Sequence, residues 1–300
     1  MRNALCRALV EHAARPEFVF LTGDLGFNAL EPLREAMGPR FINAGVAEQN
    51  MVSVAAGLAS TGMRPWAYSI APFLYSRALE QIRNDVCLHN LPVRLAGNGG
   101  GFGYGVMGAT HHALEDYGTL LCLPNMHVFV PAFADDVPVI IGRLMDLRSP
   151  AYFRLGRCEK PKDLLLPPYA PWRRLFDGGG PTLLVVGPIV GGIAAALLGV
   201  PAPRRPRLWV LTELPVAGNE IPREFLDDVR RSEHLAVVEE HVAQGGIGQG
   251  ICRLLALDGA MPRRFTHHYA RGYLSGLYGS QDFHRSECGL DPASILAFPD

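Results

Sequence analysis

An excess of either charge is missing from this 300-residue sequence, in which 28 Lys and Arg stand against 29 Asp and Glu for a net charge of -1. That balance argues against a nucleic-acid or other polyanionic partner. No C-x-x-C pair occurs among the six scattered cysteines, at 6, 87, 122, 158, 252 and 288. Neither a disulfide framework nor a zinc site is therefore indicated, and a reduced, cytoplasmic setting is the simplest expectation. Residues 1–10 carry Arg2 and Arg7 without an apolar core or cleavage signal, so no signal peptide is expected there. One uncharged stretch, 181–200, has roughly membrane-spanning length. Gly187-Pro188 and Gly191-Gly192 interrupt it, so it reads instead as a buried strand (182–186) followed by a small-residue helix.

What is present is a globular composition, 48% hydrophobic and 19% charged, long enough for two ordinary domains. Residues 1–155 alternate in the α/β manner. Helices are expected at 2–14, 30–37, 76–90 and 135–147, and strands at 18–22, 64–70, 91–96, 126–130 and 151–155. Prolines and charges gather between Cys158 and Gly180, which predicts a surface linker. Further strands follow near 183–186, 208–211 and 235–238. The expected fold is thus α/β in two domains, 1–160 and 181–300, joined by a linker at 161–180. Each domain is expected to be a mostly parallel sheet flanked by helices.

The stretch around which the chain is organised is Phe41-Ile42-Asn43-Ala44-Gly45-Val46-Ala47-Glu48-Gln49-Asn50-Met51. A short apolar run ends in a carboxylate, and Met51, Val54, Ala55 and Leu58 then repeat at helical spacing. Glu48 in a first helical turn is explained either by the helix dipole or by a carboxyl held in an apolar pocket with its pKa raised. Further on, residues 97–108 hold seven glycines in twelve and end at Ala109-Thr110-His111-His112. Such a loop brings backbone N–H groups close to an anion or flat ligand, or is simply mobile. The run Gly245-Gly246-Ile247-Gly248-Gln249-Gly250 has the wrong glycine spacing for a dinucleotide fingerprint and reads as a turn into a helix.

Gly45-Val46-Ala47-Glu48-Gln49-Asn50-Met51, with Ala55-Ala56-Gly57-Leu58-Ala59 after it, resembles the pyrimidine-binding domain of transketolase-type thiamine diphosphate enzymes. The match runs nearly end to end, but only against the C-terminal half of a transketolase, as in transketolases split into two subunits. The resemblance implies that Glu48 meets the cofactor's aminopyrimidine ring as a carboxyl of raised pKa. Two units of such a shift correspond to ~2.7 kcal/mol of preference for the neutral acid. It also implies that His111 lies beside the reacting carbon, that Phe73 stacks on the ring, and that Asp24 is a cofactor contact. Tyr68 and Tyr75 are weaker candidates for the ring. Asn98 and Met107 in the glycine loop, with Arg154 and Arg157 in Phe153-Arg154-Leu155-Gly156-Arg157 at the end of this domain, are implied as substrate-facing residues, the arginines for a phosphate. His241, His267 and His268 receive no role.

The family's Gly-Asp-Gly…Asn motif, which holds the divalent metal and the diphosphate, is absent: Gly23-Asp24-Leu25 and Asp177-Gly178 do not match it. The resemblance therefore implies a partner subunit carrying that motif and the Mg2+ ligands, with no metal site in this chain, and an α2β2 assembly. Two departures concern the substrate. Met107 stands where sugar-phosphate transketolases have an Asp, and Gly99 where they have a phosphate-contacting His. These leave more room and suit a bulkier or less polar acceptor, including a carrier-bound one. The leading expectation is transfer of a two-carbon ketol unit from a ketose. Alternatives are a 2-oxoacid dehydrogenase β subunit, a deoxyxylulose-phosphate-synthase-like carboligase, and a non-catalytic stabilising subunit.

Overall fold

The computed structural model describes residues 1–216 and 221–298. Its strands are β1 (Phe18–Thr22), β2 (Phe41–Asn43), β3 (Arg64–Ile70), β4 (Arg94–Asn98), β5 (His127–Phe129), β6 (Ala151–Leu155), β7 (Trp172–Phe176), β8 (Thr182–Val186), β9 (Arg207–Leu211), β10 (Glu213–Leu214), β11 (His234–Val238) and β12 (Arg264–His268). They form a seven-stranded sheet in the order β10-β5-β6-β4-β3-β1-β2 and a five-stranded sheet in the order β12-β11-β8-β9-β7. The chain is α/β, with two mostly parallel sheets flanked by helices.

Strands covered on both faces need apolar residues at every position, not at alternate ones. β1 shows this: all five of its residues are buried. Phe18 and Phe20 pack with Leu5, Leu9, Ile140 and Leu144 on one face, and Val19 and Leu21 pack with Met51, Val52 and Ala55 on the other. Each fully buried Leu or Ile contributes roughly 1.5–3 kcal/mol. Helix Glu48–Ser60 turns Met51, Val52, Ala55, Ala56 and Ala59 inward, and its small residues let it lie close against the sheet.

Three expectations differ from what is observed. Residues 76–90 do not form one α-helix. A short piece, Leu79–Gln81, passes into a π-helical turn, Ile82–Cys87, in which Leu88 N–H reaches back to Arg83 O. Within 161–180, Trp172–Phe176 is strand β7, pairing antiparallel with β9 through a bulge; the sparse apolar content there is that of an exposed edge. Finally, β10, reached only after β9, crosses to the first sheet and pairs antiparallel with β5. The uncharged stretch 181–200 forms β8 and helix Val190–Leu197. Among the described residues no helix is long and apolar enough to cross a membrane.

Candidate active site

Parallel strands place their carboxyl ends, and the loops leaving them, on one edge of the sheet, where α/β proteins bind ligands. Gly23-Asp24 leaves β1 here, the segment to Arg77 leaves β3, and the glycine loop leaves β4. Glu48 is brought to the same edge as the first residue of its helix and is 1% exposed. Its Oε1 accepts from Ser69 Oγ at 3.1 Å and its Oε2 from Arg77 Nη1 at 2.6 Å. A Cβ on Gly23 would lie 3.5 Å from Glu48 Oε1, so the β1 end forms a close wall of this pocket. The Arg77 guanidinium lies over the Phe73 ring, 4.6 Å from its centroid. Phe73 meets the His111 ring edge-on at 5.0 Å. Glu48, Arg77, Phe73 and His111 are therefore one continuous group. Arg77 folds back over Glu48 and places a cation beside its buried carboxyl.

His111 is half-buried. Its Nδ1 contacts Thr110 Oγ1 at 2.9 Å, and with the hydroxyl donating there the ring carries its proton on Nε2. Tyr104 lies on the other side of His111, ring centroids 5.8 Å apart, and its hydroxyl accepts from Asn98 Nδ2 at 2.8 Å. The extra space expected at Gly99 is taken up: Gly99 has φ +79, and a Cβ there would meet the Tyr104 ring at 2.2 Å. Met107 is 54% exposed at the loop's outer turn. Asp24, also exposed, accepts from Asn43 Nδ2 at 2.7 Å, one residue from the Glu48 wall. Tyr68 and Tyr75 are core residues, Tyr75 donating to Glu115 at 3.2 Å.

Arg154 is not available to a substrate. It is buried with Asp116, Nε to Oδ2 2.7 Å, and donates to the carbonyls of Ala113 and Glu240 at 2.8 and 2.9 Å. Burial pulls its pKa down, but Asp116, followed by the Tyr117 and Tyr152 hydroxyls, more than reverses this, and the net direction is upward. Arg157 is exposed in a cavity of about 560 Å³ lined also by Lys160, Lys162, Gln281 and Arg285. Among the described residues, no three His, Cys, Asp or Glu side chains gather in a way that could hold a metal ion.

The loop bearing His111 is clamped by the second half of the chain, which the motifs alone do not reveal. Glu240 accepts from Phe102 N–H at 2.7 Å and pairs with Arg285 at 2.6 Å. Gly101 (φ +65) passes so close that a Cβ would strike the Glu240 carboxyl at 2.6 Å. His112 donates from Nε2 to Gly105 O at 2.8 Å and meets the Tyr273 hydroxyl at Nδ1. His241 donates to Val242 O from Nδ1, accepts Gly118 N–H at Nε2, and stacks on Tyr117 at 3.9 Å. His267 pairs with buried Glu239 at 2.7 Å, and Glu239 also accepts from Tyr117. Only the pairing of Glu239-Glu240-His241 with a following glycine run could have signalled this contact in sequence.

Burial lowers the pKa of His112, His241 and His284 below the ordinary 6.5, against the opposing pull of Glu240 on His112 and His284, Glu287 on His284, and Asp116 and Glu239 on His241. A group depressed on folding binds its proton more readily unfolded, so its stabilisation is complete above about pH 6.5 and is lost as pH falls toward the depressed value. The thermal midpoint should drop by several degrees between pH 7 and pH 5.5 in a melting series. His112→Asn should flatten that dependence; an unchanged slope would remove His112 from the account.

The transketolase pyrimidine-binding domain family matches residues 1–161. The B subunit of the apulose-4-phosphate transketolase of Actinobacillus succinogenes is 30% identical over 274 residues, covering 89% of this chain and 86% of that one. The 1-deoxy-D-xylulose-5-phosphate synthase of Pelotomaculum thermopropionicum is 32% identical over 255 residues, covering 80% of this chain but only 39% of that one. Among solved structures, a split gene transketolase in an inactive beta4 tetramer superposes with a TM-score of 0.81 at 29% identity, covering 99% of this chain and 95% of that one. A transketolase from Leishmania mexicana shares the fold, with a TM-score of 0.72 at 18% identity, and this chain covers 44% of it. Through residues 1–161 this chain belongs to the transketolase pyrimidine-binding family, and along its whole length it has the form of the C-terminal subunit of a split transketolase-like enzyme.

Proposed function

We propose that this chain is the pyrimidine-binding subunit of a thiamine diphosphate-dependent enzyme that transfers a two-carbon ketol unit from a ketose donor to an acceptor. The observation that carries the reading is the buried Glu48 carboxyl grouped with the Phe73 ring and His111. An aminopyrimidine needs an acid at its ring edge and an aromatic face beneath it. Those two groups are present, and a planar, N–H-bearing guanidinium already bridges them, so the residues fit the ring. Bound thiamine diphosphate would supply the carbanion chemistry that breaks and forms the C–C bond beside the carbonyl. Glu48 shares a proton at the ring nitrogen, Phe73 fixes the ring plane, and Asp24 lies at the pocket's margin. His111 Nε2–H donates to the substrate oxygen on which charge develops. Asn98 and Tyr104 orient that substrate beside His111, Met107 borders its entry, and Arg157 is the guanidinium free to meet a phosphate.

A partner subunit supplies the diphosphate and Mg2+ ligands, in an α2β2 assembly in the cytoplasm. The chain alone should bind thiamine diphosphate and magnesium very poorly by calorimetry, and mixing with a chain bearing Gly-Asp-Gly…Asn should restore stoichiometric binding and ketol transfer. Tight binding by the chain alone would refute the shared site. Similarity to the deoxyxylulose-phosphate synthases supports a second reading, carboligation from pyruvate. Carbon dioxide release from pyruvate by the reconstituted pair, with a carboligated product, would favour it; release coupled to a lipoyl acceptor would indicate the dehydrogenase alternative. A donor screen by mass spectrometry, with apulose 4-phosphate included, separates these from ketose-dependent transfer.

A further inference from the structure

Arg77 has no part in the roles above, yet it lies against both the Glu48 carboxyl and the Phe73 ring. Its Nη1 is 2.6 Å from Glu48 Oε2 and its Cζ is 4.6 Å from the Phe73 centroid. A guanidinium is planar, donates hydrogen bonds within that plane and stacks its face on aromatic rings. Those are the two demands an aminopyrimidine makes of the same carboxyl and the same ring. Close-packed interiors do not hold two planar groups in one space. We propose that Arg77 is a placeholder: in the cofactor-free chain it takes the position of the aminopyrimidine ring, and it swings out to admit the ring. The proposal rests on the reading of Glu48 given above.

Two features support a group able to leave. Arg77 lies between the helical pieces Ala71–Tyr75 and Leu79–Gln81, not within either. It is also 43% exposed, whereas its partner carboxyl is 1% exposed, so the side chain has a path to water. A buried carboxylate with no cation is costly. The placeholder removes that cost while the cofactor is absent and opposes ring binding by the same contacts.

The test uses the full chain mixed with the Gly-Asp-Gly…Asn partner chain, and thiamine, which presents the ring without the diphosphate. In calorimetric titrations Arg77→Gln should bind thiamine roughly five- to tenfold more tightly than the unaltered chain, as expected for loss of a half-exposed ion pair and a guanidinium–aromatic contact. In 15N-arginine NMR spectra the Nε–H signal that Arg77→Gln deletes should move to the position of a solvent-exposed arginine as thiamine saturates the chain. Equal or weaker thiamine binding by Arg77→Gln, or an Arg77 signal that stays in place at saturation, overturns the placeholder. If that happens while Glu48→Ala abolishes thiamine binding, the inference fails and the reading of Glu48 stands. If Glu48→Ala leaves thiamine binding untouched in both backgrounds, the reading of Glu48 falls and the inference with it.

Discussion

Glu48→Ala should lower turnover of the reconstituted enzyme by about 10²–10⁴-fold, the range for removing a positioned proton-sharing group, while the chain still folds and assembles. Folding survives because the carboxylate contributes little to it. Glu48 opens helix Glu48–Ser60 but makes no side-chain cap to its backbone, so its loss costs about 0.3–1 kcal/mol of dipole complement. Removing a nearly fully buried carboxyl also removes the cost of desolvating it. Arg77, half-exposed, turns to water. Glu48→Gln, which keeps the shape but not the acid, should be similarly impaired. Steady-state rates together with a thermal melt check both halves of the expectation. Unchanged turnover would leave a subunit that only stabilises its partner.

Arg154→Ala should destabilise the fold by roughly 3–5 kcal/mol, the cost of stranding a buried charge. Asp116 is 0% exposed, and apart from Arg154 its Oδ2 has only the Tyr152 hydroxyl, at 2.8 Å. Its Oδ1 has no hydrogen-bond partner, so nothing nearby replaces the lost cation. The same substitution takes the donor from the Glu240 carbonyl and one of two donors from the Ala113 carbonyl, which keeps Gly101 N–H at 2.9 Å, and so loosens the seam between the sheets. Arg157→Ala, at an exposed position, should change stability by no more than ±0.5 kcal/mol and act instead on KM for a phosphorylated donor. Urea denaturation of the two variants separates the roles; equal stability would show that Asp116 finds another partner.

These two arginines mark where reading the sequence stops. Arg154 lies in β6 and Arg157 two residues beyond its end, and both suit a phosphate, but what distinguishes them is Asp116, 38 residues from Arg154 and brought to it only by the fold. That Glu48, Phe73 and His111 come together could be read ahead of the fold because the resemblance singles out each within a local motif, and the structure groups them at the carboxyl edge of a parallel sheet. Buried strands such as β1 and β8 were equally legible, since a short apolar run bounded by glycine or proline suits little besides a strand covered on both faces. Arg77 was missed: its partners are set by how the segment after β3 turns, and a lone arginine four residues beyond Phe73 carries no signal of that. Gly99 misled for a related reason, because sequence shows that a side chain is absent but not that Tyr104 moves into the gap.

The crossing of β10 onto β5 has a practical consequence for anyone dividing this protein. A truncated version ending near residue 160 would keep Glu48, Arg77, Phe73 and His111 yet lose the clamp on the His111 loop and the two-residue ribbon that closes the outer margin of the larger sheet. The bared N–H and C=O row of β5 would then be open to strands from other molecules, so such a fragment would associate with itself before it reported on ligands.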